Sequence, residues 1–250
     1  MKKLWLLVAF VALGSLAVMG YEDAANDYIS YTANLSQEKV ILYYKDAGGK
    51  RIKSLGNLKK HVEASGQTLL FAMNGGMYSP KREPVGLYIE DFKTLSPADT
   101  ASGKGNFYLK PNGIFYIDGK GKAGISKTED FKPANNIKYA TQSGPMLVIN
   151  GAIHPAFKEG SDNVNIRNGV GILPDGSILL CMSKEKVNFY DFAQYFKNKG
   201  CKNALYLDGY VSRTYAPSEK WEQTDGNFGV IIGVIKHRYE MVTPLTACTL

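Results

Sequence analysis

The 250-residue chain contains three histidines, three cysteines and two tryptophans, and each scarcity excludes something. Cys181, Cys201 and Cys248 allow at most one intramolecular disulfide and include no Cys-x-x-Cys pair, so a zinc ribbon is excluded. Cys181 lies in an apolar run and Cys201 follows Gly200, so both read as buried apolar side chains. Also absent are the Gly-x-x-x-x-Gly-Lys-Ser/Thr loop, His-Glu-x-x-His and the Gly-x-Ser-x-Gly elbow. P-loop nucleotide enzymes, zincins and standard α/β-hydrolases therefore do not lead. Lysine and arginine outnumber acids 30 to 23, a formal charge of +7, but no dense basic run exists, so no nucleic-acid partner is expected. The 26 glycines and 10 prolines show no three-residue period, which excludes a collagen-like chain.

A hydrophobic content of 44% against 21% charged residues suffices for one sizeable core. Residues 1–20 stand apart from it. Lys2 and Lys3 precede an apolar run from Leu4 to Leu13, and Val18 with Gly20 forms a small-residue cleavage pattern before Tyr21. This is the layout of a secretory signal peptide, with an uncleaved N-terminal anchor as the alternative. The expectation is an exported protein, periplasmic or extracellular, with residues 21–250 as a single domain. Membrane association is expected only through an uncleaved N-terminus, and the sequence assigns no oligomeric state.

Turn chemistry dominates the rest. Asn112-Gly113 separates Phe107-Tyr108-Leu109 from Ile114-Phe115-Tyr116-Ile117, Asn150-Gly151 lies within Met146 to His154, and Pro174-Asp175-Gly176 lies within Gly169 to Met182. Each predicts a β-hairpin. Helices are predicted at Asn57 to Ala64 and at Asp191 to Lys199, the second capped by Asp191 and stopped by Gly200. The reading is an α+β fold, a mainly β core of mixed or antiparallel strands and hairpins with a few peripheral helices.

Four clusters carry polar groups at the ends of apolar runs. Asn74-Gly75-Gly76-Met77-Tyr78 follows Leu69 to Met73, and its paired glycines suit either close approach of backbone to a ligand or an ordinary turn. Ser143-Gly144-Pro145 sets a hydroxyl at the edge of the strand Met146 to Ile149. Arg167 stands without a neighbouring acid, as a planar fork for phosphate or carboxylate or as a plain surface arginine. Asp208-Gly209-Tyr210-Val211-Ser212 presents a carboxylate beyond the strand Ala204 to Leu207, where ligand sites of α/β sheets lie. Of the histidines, His61 and His237 read as surface residues, while His154, between Ile153 and Pro155, suits an acid or base role.

Taken in order, these clusters, with Pro84-Val85-Gly86-Leu87, Asn150-Gly151 and Gly169-Val170-Gly171, resemble the phosphodiester glycosidase family over Leu69 to Gly233. That is the family of the uncovering enzyme, which removes N-acetylglucosamine from a sugar-1-phosphodiester, and this sequence looks closest to its exported bacterial branch. Two departures stand out. Tyr210 and Val211 occupy places where the family has further glycines, and Met77 replaces an aromatic residue.

The resemblance implies a carbohydrate or sugar-phosphate substrate, with Asn74, Gly75, Gly76, Ser143, Gly144, Gly209 and Ser212 binding it. Arg167 would hold phosphate, Asp208 would stabilise the sugar cation or activate water, and His154 would carry a proton. No cofactor and no metal ligand set are expected. Two alternatives remain at this stage. One is a glycan-binding module stacking sugars on Tyr78, Tyr210 and Trp221. The other is a metal-dependent phosphodiesterase in which Asp208 and Asn74 ligate a divalent cation such as Ca²⁺.

Overall fold

A computed structural model describes residues 27–208 and 211–236. The signal reading of residues 1–20, together with Gly209, Tyr210, His237 and Cys248, lies outside the described residues. Within them, sixteen strands form three sheets in which every pairing is antiparallel.

The six-stranded first sheet runs β1 (Tyr28–Ala33), β12 (Ile178–Ser183), β11 (Asn168–Ile172), β13 (Asn203–Tyr206), β9 (Met146–Ile149) and β10 (Ala152–Ile153). The second runs β15 (Trp221–Glu222), β14 (Thr214–Ala216), β3 (Leu69–Gly76), β16 (Val230–Lys236) and β2 (Glu38–Tyr43). The third runs β5 (Lys93–Ser96), β4 (Tyr88–Glu90), β8 (Ile137–Ser143), β6 (Gly113–Asp118) and β7 (Ala123–Lys127).

All three sheets contribute to one core, in which Leu180 and Leu205 of the first, Phe71 and Val234 of the second, and Tyr88 and Phe115 of the third are buried together. Helices cover the opposite faces of two sheets. Helix α2 (Phe189–Asn198) buries Phe189, Phe192 and Phe196 against Leu147, Leu179, Cys181, Ala204 and Tyr206 of the first sheet. Helix α1 (Leu55–Ala64) buries Leu55, Leu58 and Val62 with Leu69, Ala72 and Ile231 of the second.

This double cover explains the uninterrupted apolar runs. Strand side chains alternate between faces, so Leu205 and Leu207 enter the shared core while Ala204 and Tyr206 meet α2. Both described cysteines are free and buried, with burial pushing the Cys201 thiol up to about 12. Gly171 makes room for that thiol, since a Cβ there would stand 2.6 Å from Cys201 Sγ.

Two hairpins form as expected, β9–β10 around Asn150 and Gly151, both at positive φ, and β11–β12 around Gly176. The hairpin expected at Asn112-Gly113 does not form. Asn106–Tyr108 is a 3₁₀ turn whose Phe107 carbonyl accepts from Asn112 Nδ2 at 2.9 Å, and Gly113 opens β6, which pairs with β7 and β8. The Asn112 amide is spent closing that turn, so it does not take the left-handed hairpin position. The cap of α2 also shifts from Asp191 to Asn188: Asn188 accepts from Asp191 N at 2.9 Å and donates to its carboxylate at 2.8 Å. Gly200 ends that segment at φ 84°, as expected.

Candidate functional site

Strand β13 ends at Tyr206, and the next two residues leave the sheet between all three layers. Their backbone polar groups must find partners there, and the sequence supplies them as side chains. Leu207 N still bonds Asn168 O at 3.1 Å. The Leu207 carbonyl accepts from Ser143 Oγ at 2.6 Å. Asp208 N donates to Asn168 Oδ1 at 2.9 Å. The Asp208 carbonyl accepts from Asn74 Nδ2 at 3.2 Å and from Ser212 Oγ at 2.8 Å.

Asn168 heads β11 in the first sheet, Asn74 lies in β3 of the second and Ser143 ends β8 of the third. One side chain from each sheet thus grips the same dipeptide, and all three are wholly buried. Asn168 also donates to Asn74 O at 2.7 Å, and Asn74 Oδ1 accepts from Arg213 N at 3.0 Å. Asp208 itself is half-buried.

Asn74, Ser143 and Ser212, expected to contact substrate, therefore hold backbone. Gly75 and Gly76 are packed too closely for a side chain: a Cβ on Gly75 would stand 2.6 Å from Ile232 Cγ1, and one on Gly76 would stand 2.5 Å from Thr141 Oγ1. Gly144 is similar, with Asn112 Cβ at 2.6 Å. The Asn74 amide is engaged at both ends. Among the described residues no group of three or more His, Cys, Asp or Glu side chains is arranged to hold a metal ion.

Arg167 is not a surface residue. Its side chain is wholly buried, with Nε donating to Val187 O at 2.8 Å, Nη2 to Asn163 O at 2.6 Å, and Nη1 at 3.5 Å from the Tyr206 hydroxyl. The guanidinium lies 3.5 Å from the centroid of Phe189, which stacks on Phe157, which stacks on His154. No carboxylate pairs with it among the described residues, and desolvation lowers its pKa. The side chain has no exposed surface, and its Nε and Nη2 are engaged by backbone carbonyls. Backbone carbonyls and aromatic faces stabilise its charge instead.

His154 is buried, with Ala156 N donating to Nδ1 at 3.1 Å and Nε2 lying 3.1 Å from Lys110 O. That pattern fixes the proton on Nε2 and occupies both ring nitrogens. Burial lowers its pKa, with the Lys110 carbonyl opposing.

Beside Asp208 opens a cleft of about 180 Å³ lined by Tyr78, Arg82, Val211, Arg213, Asp225, Gly226, Asn227 and Phe228. The Tyr78 phenol is pushed up by burial and by the charge of Asp208, while Arg82 pulls it down. Trp221 packs against the shared core with its indole N–H buried and without a hydrogen-bond partner among the described residues. Sequence reasoning missed Asn168, Arg82 and Arg213. The available signals were the polar head of an apolar strand for Asn168 and direct adjacency to Ser212 for Arg213.

The sequence model of the phosphodiester glycosidase family matches residues 67–232. An Escherichia coli (strain K12) protein, uncharacterized protein YigE, is 38% identical over 218 residues, 86% of this chain and 85% of the relative. Two solved structures share the fold. The zebrafish N-acetylglucosamine-1-phosphodiester alpha-N-acetylglucosaminidase catalytic domain, auto-inhibited by its pro-peptide, aligns with a TM-score of 0.52 at 16% identity, covering 85% of this chain and 89% of that one. A Burkholderia pseudomallei putative exported protein aligns with a TM-score of 0.55 at 11% identity, covering 83% and 73%.

Proposed function

This chain belongs to the phosphodiester glycosidase family, and we propose that it hydrolyses the carbon–oxygen bond between a sugar and the phosphate of a sugar-1-phosphodiester. The observation that carries the reading is the clamp on Leu207-Asp208: Asn168 and Asn74 hold the backbone of the half-buried Asp208, and Ser143 of the third sheet holds the Leu207 carbonyl before it. Such rigidity is what a group facing developing charge requires, because no reorganisation is then needed as the reaction proceeds.

In the proposed reaction the anomeric C–O bond breaks with its electron pair moving to the phosphate oxygen, giving a phosphomonoester. Water supplies the new hydroxyl on the anomeric carbon and releases one proton. Asp208 stabilises the sugar cation or accepts that proton. Phosphate is an acidic leaving group and needs little protonation, which fits a His154 whose nitrogens are both engaged. Arg167 acts in this reading through its buried charge rather than by contact. With residues 1–20 read as an export signal, the substrate belongs to a glycan or polymer of the cell envelope or beyond it.

The test is turnover of a panel of sugar-1-phosphodiesters in ¹⁸O-labelled water with mass spectrometry of the products. Label is expected in the released sugar, and Asp208→Asn is expected to lower kcat by about 10²–10⁴-fold. Label in phosphate would assign phosphorus–oxygen cleavage instead. Wild-type rates in Asp208→Asn would move the chemistry elsewhere.

A further inference from the structure

The cleft beside Asp208 has charge that the clamp does not use. Arg213 Nε is shared between the two carboxylate oxygens of Asp225, at 3.1 and 3.0 Å, and Nη1 donates to Ser212 O at 3.0 Å. Its Nη2 has no hydrogen-bond partner among the described residues. Arg82 makes no ion pair among the described residues and stands with its guanidinium 4.9 Å from the Tyr78 ring centroid. Two guanidinium groups and one carboxylate leave the lining with a net positive charge, against apolar walls from Val211 and Phe228.

Both arginines are held in place. Arg213 N is pinned by Asn74 Oδ1, the same amide that grips Asp208. The Arg82 turn is closed by Arg82 N to Ser79 O at 2.7 Å and Ser79 N to Glu83 O at 2.8 Å. It rests on Gly229, where a Cβ would stand 2.5 Å from Tyr78 Cβ and 3.0 Å from Arg82 O. The two arginines line one cleft, and the backbone of one of them, Arg213, is tied to the clamp that holds Asp208.

Resting on the reading of Asp208 given above, the geometry points to Arg82 and Arg213 as the subsite for the anionic phosphodiester group of the substrate, with Arg167 outside it. The sugar then lies over Asp208 and the phosphate over the arginines. Specificity for a charged leaving group over a neutral one follows from this pair.

The experiment compares the full chain with the double variant Arg82→Gln and Arg213→Gln on a sugar-1-phosphodiester and on the nitrophenyl glycoside of the same sugar. Two hydrogen-bonded charge contacts correspond to a loss of roughly 10–100-fold in kcat/KM on the phosphodiester. The loss on the neutral glycoside is expected to be at least about tenfold smaller. Equal losses on both substrates overturn the assignment. Arg82→Gln alone, which removes no ion pair, decides the same ratio if Arg213→Gln destabilises the fold by orphaning Asp225. If the wild type cleaves no sugar phosphodiester, the reading of Asp208 fails separately, and titration with dimethyl phosphate followed by NMR tests the subsite itself. Saturable binding that the double variant loses supports it, and no binding by the wild type overturns it.

Discussion

Asn74 and Asp208, 134 residues apart in the chain, are joined by a 3.2 Å hydrogen bond from the Asn74 amide nitrogen to the Asp208 carbonyl. The other end of that amide receives the backbone N–H of Arg213 at 3.0 Å. One buried side chain therefore sets the spacing between the carboxylate loop and the positive cleft.

Asn74→Ala removes both bonds: the Arg213 N–H loses its partner, while the Asp208 carbonyl keeps Ser212 Oγ. The expected cost is about 1–3 kcal/mol for the N–H left unsatisfied, read as a lower urea midpoint. Turnover is expected to fall further than stability alone accounts for, because the folded fraction still holds Asp208 and Arg213 loosely. Unchanged kcat in the folded fraction would remove Asn74 from the positioning machinery.

Gly75→Ala is expected to destabilise by roughly 1–3 kcal/mol, because its new methyl meets Ile232 Cγ1 at 2.6 Å and Ile232 N at 2.9 Å. Thermal melts read this directly. A melt unchanged from wild type, together with weakened substrate binding, would return the glycine to a ligand-facing role.

Arg167→Met is expected to cost about 2–4 kcal/mol, because the carbonyls of Val187 and Asn163 lose their donors while the stack over Phe189 keeps only part of its contact. Arg167→Lys should recover part of the loss by retaining a charge without the planar fork. Equal denaturation midpoints for Lys and Met would show that the charge contributes nothing.

Burial lowers the His154 pKa from its ordinary value of 6.5. The folded state thus binds fewer protons than the unfolded chain between the lowered value and 6.5, and its stability rises with pH across that window. This contribution is full above 6.5 and is lost as the pH falls toward the lowered value. Comparing urea midpoints of wild type and His154→Gln across pH 5 to 8 tests it: the difference between them should depend on pH below about 6.5 and be flat above. A difference that stays constant throughout would show that His154 does not titrate in this way.

Local chemistry made much of the fold legible. Asn150-Gly151 and Gly176 give turns that need only their own positive φ and apolar flanks, and both hairpins form. Gly200 ends its helix for the same reason. Asn112-Gly113 carried an equal signal and misled, because Asn112 closes a preceding turn and β6 finds its partners further along the chain, in β7 and β8. Asp208 was visible as a carboxylate beyond an apolar strand, a relationship within a few residues.

What the sequence by itself determined, then, was the supply of apolar runs, turns and polar strand ends, since these depend on neighbours within one or two turns of chain. The tertiary structure decided which polar groups hold backbone. Asn168 and Arg213 reach Asn74 across 94 and 139 residues, and Arg167 satisfies its buried charge with carbonyls and rings that no spacing rule announces. Such roles follow from where three sheets meet, because an unsatisfied buried backbone group costs too much to leave and any correctly placed side chain can satisfy it.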